Sequence, residues 1–207
     1  MAQPDAERYR DLRHAVAASR LSIGWSVLAG TAAVAVGLRA GALSLLAYGL
    51  DATVDAAASA MILRDLHGEL RGGHPPTHRR AERTVGFALV LIGAAVSAQA
   101  VRELVAGKGP NSTTIGIVIA VASMLILPPL SAYKIKLGGR LRSPALKGDG
   151  FLTGAGGALA AVTLIGMVLD RTLGLWWADP VAAVLISILL VIAGIVTLRD
   201  RGSHSQT

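Results

Sequence analysis

Six predominantly apolar stretches alternate with polar or basic segments along the chain: residues 21–38, 40–63, 84–101, 109–133, 150–169 and 180–198. Each holds 18 or more residues, and about 20 apolar residues rising 1.5 Å apiece cross the hydrocarbon of a bilayer. The pattern predicts an all-α membrane protein with six transmembrane helices. Residues 1–19 would form a basic N-terminus, 20–200 the transmembrane domain, and 201–207 a short tail with no cytoplasmic C-terminal domain after it. No small-residue cleavage site stands out at the first stretch, so it reads as a helix and not as a removable signal. Arg39-Ala40-Gly41 leaves almost no linker, so the first two helices form a tight hairpin. Pro128-Pro129 kinks or loosens the fourth.

Composition sharpens this picture. Hydrophobic residues make up 53% of the 207 and charged ones 16%, against roughly a quarter charged in soluble domains. There is no cysteine, which excludes disulfides and thiolate metal sites. The net charge of +7 lies between apolar stretches and not on an aromatic-interleaved surface. It suits an anionic membrane surface and no nucleic acid. Sixteen of the twenty Lys and Arg fall in the N-terminus, in residues 64–83 and 134–147, and after residue 198. Basic segments stay on the cytoplasmic side, so both termini are expected to be cytoplasmic, in the inner (plasma) membrane. Trp176 and Trp177 fit an aromatic belt on the far side, and Asp179-Pro180 looks like an N-cap with proline at the first helical position.

The candidate chemistry is concentrated in Leu50-Asp51-Ala52-Thr53-Val54-Asp55. Asp51 and Asp55 lie one helical turn apart on one face, near the middle of the second stretch. A charged side chain there costs roughly 2.5–3.5 kcal/mol on insertion scales. Two of them point to a cation or proton site; the structural alternative is a pair held protonated or matched to a basic side chain. No nucleophile–base pair or phosphate-binding loop is present, which argues against an enzyme.

These residues, in this order, resemble the cation diffusion facilitators. The resemblance rests on the second-helix acids, on His74-Pro75-Pro76-Thr77-His78-Arg79-Arg80-Ala81-Glu82, on Ser143-Pro144-Ala145-Leu146-Lys147-Gly148-Asp149, and on Trp177-Ala178-Asp179-Pro180. It implies a cation-efflux-like bundle that exports a divalent cation such as Zn, Mn, Fe, Co or Cd in exchange for protons. It also implies a midmembrane site with two ligands from the second helix, at Asp51 and Asp55, and two from the fifth. An ungapped match puts the fifth-helix positions on Leu152 and Gly156, neither of which binds metal through its side chain; a shift of one residue would use Asp149 and Thr153 instead. Asp149 is either a third carboxylate ligand or an interfacial acid paired with Lys147 or Arg142. Gly154, Gly156 and Gly157 offer a smooth face for close helix packing or room beside the acids. His74 and His78 match a second, loop metal position in some relatives, with Glu69 as a further ligand; a solvated basic loop accounts for them equally. His14 and His67 read as interfacial. With no C-terminal domain, any homodimer would be held within the membrane.

Three functions remain open on these grounds: a metal/proton antiporter, an exporter of another cation, and a family-derived protein that no longer transports.

Overall fold

The computed structural model describes residues 3–70, 79–107 and 113–199. These form six helices and no strands: α1 (Gln3–Ala40), α2 (Leu43–Leu70), α3 (Arg79–Ala106), α4 (Thr114–Arg140), α5 (Pro144–Leu173) and α6 (Ala178–Arg199). Ala6–Ala40, Leu43–Leu70, Thr114–Arg140 and Ala145–Leu173 are long and apolar enough to cross a membrane, and Ala178–Ile192 is a shorter apolar helix. Large apolar side chains such as Leu28, Leu125, Phe151 and Ile165 point outward, as a lipid-facing surface requires. The chain is an all-α, multi-pass membrane protein.

Helix boundaries depart from the apolar stretches in a consistent way. α1 begins eighteen residues before its apolar part, and α4 runs on to Arg140, so Lys134 and Lys136 belong to a helix and not to a loop. The turn between α4 and α5 shrinks to Leu141–Ser143. There Ser143 caps α5 by accepting from the Leu146 amide, with Pro144 opening the helix. Lys147 and Asp149 therefore also lie inside a helix. The basic segment 134–147, which the sequence suggests is a loop between the fourth and fifth apolar stretches, is mostly helical, because backbone hydrogen bonding continues past the point where the lipid-facing surface ends. α4 likewise continues through Pro128 and Pro129.

The helices pack chiefly as three antiparallel pairs, α1 with α2, α4 with α5, and α3 with α6. Gly41, at φ +67°, turns α1 into α2, and the Ala42 amide closes the turn on the Gly37 carbonyl at 3.0 Å. A Cβ at Gly49 would stand 2.8 Å from the Val34 amide nitrogen and 2.9 Å from the Gly30 carbonyl, so only glycine permits this contact. Gly150 plays the same part between α5 and α4, where a Cβ would meet the Ile135 side chain at 2.8 Å. Close backbone approach is how helices associate in lipid, which supplies no hydrophobic force between them.

Two apolar clusters fill the bundle. Leu12, Val16, Leu66, Leu137, Leu141 and Leu146 form one at the end holding the N-terminus. The larger one, around Leu45, Tyr48, Leu159, Met167 and Ile186, lies toward the tryptophan end. Polar side chains from α1, α2, α4 and α5 gather between them.

Asp179 is buried and does something other than begin its own helix. It accepts from the Ser44 hydroxyl, and from the Ser44 amide at 3.4 Å. Its carboxylate thus meets the N-terminus of α2, where free amides and the helix dipole favour negative charge. Thr163 donates to the Ser44 carbonyl at 3.3 Å, so one knot ties α2, α5 and α6. Asp179→Ala should lower unfolding stability by roughly 1–2 kcal/mol, and Asp179→Asn, which keeps one acceptor oxygen, by less. Thermal unfolding in detergent followed by tryptophan fluorescence measures both; equal, negligible shifts would remove the cap.

Candidate functional site

Helical spacing puts Tyr48, Asp51, Asp55 and Ser59 on one face of α2, and all four are buried. That face turns toward α1, α4 and α5. Asp51 and Asp55 are 3% and 4% exposed, so both carboxylates are removed from the outer surface.

Their surroundings differ. Asp55 accepts from the Ser26 hydroxyl of α1 at 2.7 Å and from the Thr153 hydroxyl of α5 at 3.3 Å. Thr153 also reaches the Asp149 carbonyl at 2.9 Å, so its single proton is shared. Asp51 takes no hydrogen bond from any described residue. A Cβ built on Gly156 would stand 3.7 Å from its Oδ2 and 3.5 Å from Leu127. Glycine at 156 therefore leaves space about the size of a methyl group beside Asp51. Nearby, Tyr48 donates to Ser123 at 2.6 Å, and the Trp25 indole donates to the same hydroxyl at 3.3 Å.

Asp149 is held in another way. Lys134 of α4 is fully buried, with Nζ 2.9 Å from Asp149 Oδ2, and it donates to Ser59 at 3.1 Å and Thr153 at 3.0 Å. Ser59 donates in turn to Asp149 Oδ1 at 2.6 Å. The attraction between Nζ and Oδ2 is that of a close ion pair. Asp149 is thus paired with Lys134, and not with Lys147 or Arg142. A buried ammonium or carboxylate alone would cost several kcal/mol; together, and hydrogen-bonded, each makes the other tolerable.

Lys134 was the residue missed, because it follows directly on the last apolar residue of the fourth stretch. Its signal lay in register. Leu127, Leu130, Lys134, Leu137 and Leu141 recur at helical spacing, and every one is buried.

On α5 the residues facing the acids are Asp149, Thr153 and Gly156, while Leu152 is half-buried. Gly154 and Gly157 serve close packing: Cβ atoms there would meet Ser131 at 2.7 Å and Pro128 at 3.3 Å. Among the described residues no three of His, Cys, Asp and Glu form a group able to hold a metal ion. The donors around the α2 pair are two carboxylates and several hydroxyls. His74 and His78 lie outside the described residues. Glu69 forms an ion pair with Arg8. His67 Nδ1 sits 2.8 Å from the Leu63 carbonyl and so carries the proton, leaving Nε2 to accept from Arg20 at 3.0 Å.

The sequence profile of the cation efflux transmembrane domain matches residues 73–203, more than half of the chain. The chain belongs to the cation efflux family. Transmembrane protein 163 of Xenopus laevis is 25% identical over 197 residues, covering 95% of this chain and 69% of its own length. An uncharacterised transporter of Methanocaldococcus jannaschii is 22% identical over 177 residues, covering 82% of this chain and 62% of its own. The family match begins after α2, so Asp51 and Asp55 enter the site on geometry: the fold brings α2 against α5, which lies within the matched part.

Removing one member of the Lys134–Asp149 pair should be far worse than removing both charges. Lys134→Met is expected to cost roughly 3–5 kcal/mol, and the double variant Lys134→Met/Asp149→Asn to recover most of it. Unfolding of the purified variants in detergent measures this, and a double variant no more stable than the single one would show that the ion pair does not hold these helices.

Proposed function

We propose that this cation efflux protein moves a divalent metal cation out of the cytoplasm in exchange for protons, with Asp51 and Asp55 as the binding pair. The observation carrying this reading is the unequal treatment of three buried acids. Lys134 neutralises Asp149 by direct contact, whereas Asp51 has no partner among the described residues and Asp55 takes hydrogen bonds only from hydroxyls, the Lys134 ammonium acting on it at longer range across Thr153. The α2 pair is therefore left to be balanced by something that arrives. One divalent cation does this, and so do two protons, which is the exchange an antiporter needs.

The donor set bears on the ion. Two carboxylates, the hydroxyls of Ser26 and Thr153, and water in the space beside Gly156 make an all-oxygen environment. That favours harder or partly hydrated ions such as Mn²⁺ and Fe²⁺ over tetrahedral Zn²⁺. A route is suggested on α1. The Ser19 and Ser22 hydroxyls are buried and without a partner among the described residues, and with Ser26 they form one helical stripe rising about 10 Å. Buried hydroxyls in such a line are sites for bridging water. In this reading all six helices span the membrane, both termini are cytoplasmic, and rocking of the helix pairs opens the acids to each side in turn. The transporter relative in Methanocaldococcus supports transport as the activity class.

A second reading has one observation behind it: α5 offers no side-chain ligand at Leu152 or Gly156. A family-derived binding or assembly protein would then bind no metal at all. Calorimetric titration with Mn²⁺, Fe²⁺, Co²⁺, Zn²⁺ and Cd²⁺ separates the two, since silence for every ion favours the second reading.

Transport is tested with metal uptake into everted vesicles. Asp51→Asn and Asp55→Asn, which keep the side-chain shape, should each bring uptake down to that of vesicles lacking the protein. A proton ionophore should abolish uptake by the parent. Parental rates in either Asn variant would refute the assignment of the pair.

A further inference from the structure

Where α1 extends beyond its apolar part it lies against the last turns of α4, and between them is a cavity of about 310 Å³. Its walls carry Arg10, Asp11 and His14 from α1, and Tyr133, Lys136 and Arg140 from α4. Leu137 closes the floor, where the cavity meets the apolar cluster formed with Leu12, Val16 and Leu141.

The charges in this cavity do not balance. Three cations face one acid, and Asp11 is engaged by Arg140 at 3.6 Å. Arg10 and Lys136 have no acidic partner among the described residues. Like charges held around one hollow repel unless an anion lies between them. His14 and Tyr133 meet edge to face, with ring centroids 6.5 Å apart, and so stiffen the wall beside the unbalanced charges.

Depth along the helices identifies the anion. The apolar part of α1 begins at Leu21, so His14 and Arg10 lie about 10 and 16 Å beyond it. The apolar part of α4 ends at Tyr133, so Lys136 and Arg140 lie about 5 and 10 Å beyond that point. The hydrocarbon core is about 30 Å thick and the whole bilayer about 40–45 Å, which puts lipid phosphates within several ångströms of the core edge. The inner part of the cavity, at Tyr133 and Lys136, is therefore at the level of the headgroups, with His14, Arg10 and Arg140 reaching in from the aqueous side. Arginine and lysine around one hollow are the side chains that bind phosphate, the guanidinium in a bidentate manner.

We propose that this cavity binds the phosphate of an anionic phospholipid, held by Arg10, Lys136 and Arg140. Such a lipid clamps the N-terminal extension of α1 to the end of α4. Those two helices also carry Ser26 and Lys134, so the clamp steadies one side of the buried polar layer. The proposal does not depend on the transport reading.

The test uses the purified full chain in detergent, with thermal unfolding followed in the presence of phosphatidylglycerol, phosphatidylcholine or inorganic phosphate at equal concentration. Phosphatidylglycerol should raise the midpoint, and the other two should leave it nearly unmoved. Arg10→Gln/Lys136→Gln should lose most of that rise. Arg13→Gln, which removes an exposed α1 cation outside the cavity, should keep it. Both substituted side chains are exposed, and lipid retention by native mass spectrometry gives a second readout on the folded variants. An equal rise with phosphatidylcholine, a full rise in the double variant, or the same loss in Arg13→Gln would overturn the proposal. An equal rise with inorganic phosphate would overturn the lipid as its source.

Discussion

A carboxylate carried from water into the middle of a helix bundle must meet a positive charge or give up its own, because the surrounding medium does not stabilise an isolated charge. This bundle places three such acids in one polar layer and treats them in two ways. Asp149 receives a permanent cation, the ammonium of Lys134, which is fully buried and also bonded to Ser59 and Thr153. Asp55 receives hydroxyls, with Lys134 at longer range across Thr153, and Asp51 has no hydrogen-bond partner among the described residues. The same layer thus contains a settled charge pair and an unsettled one, linked through Thr153.

That division explains why the surrounding helices are built as they are. Close packing of α1 on α2 at Gly49, and of α4 on α5 at Gly150 and Gly154, brings backbones near enough for short hydroxyl-bearing side chains to reach across. Serine and threonine supply nearly all of those contacts, and they are small enough to sit inside a glycine-rich interface. Asp179 at the tryptophan end fixes the start of α2, which sets the height of Asp51 and Asp55 relative to α5. Apolar clusters lie on either side of the layer, toward the two ends of the bundle.

Much of this was legible in the sequence. The six helices followed from the lengths of the apolar stretches, and the shared buried face of Asp51 and Asp55 from their spacing and their placement in an apolar run. The tight α1–α2 turn followed from Arg39-Ala40-Gly41. What stayed hidden was pairing across helices. Lys134 sits where an apolar stretch gives way to a basic one, so periodicity alone could flag it only through its register with Leu130 and Leu137. Asp179 carried the local signature of an N-cap, and its actual partner is Ser44, far away in sequence. The choice between Gly156 and Thr153 as the neighbour of the α2 acids could not be made from spacing, and both turn out to face them: Thr153 approaches Asp55 and Gly156 approaches Asp51. The ends of α4 and α5 lie beyond their apolar stretches because hydrophobicity reports the lipid boundary, while backbone hydrogen bonding continues past it.

The proposed role of Asp51 and Asp55 requires that a mobile cation can bind between them. Anomalous diffraction from crystals soaked in Mn²⁺ or Co²⁺ tests it directly. A peak is expected within coordination distance of Asp51 and Asp55, on the side facing Gly156 and Thr153, with the Lys134–Asp149 pair intact. No peak there with either ion, or Lys134 found turned onto the α2 carboxylates, would contradict it.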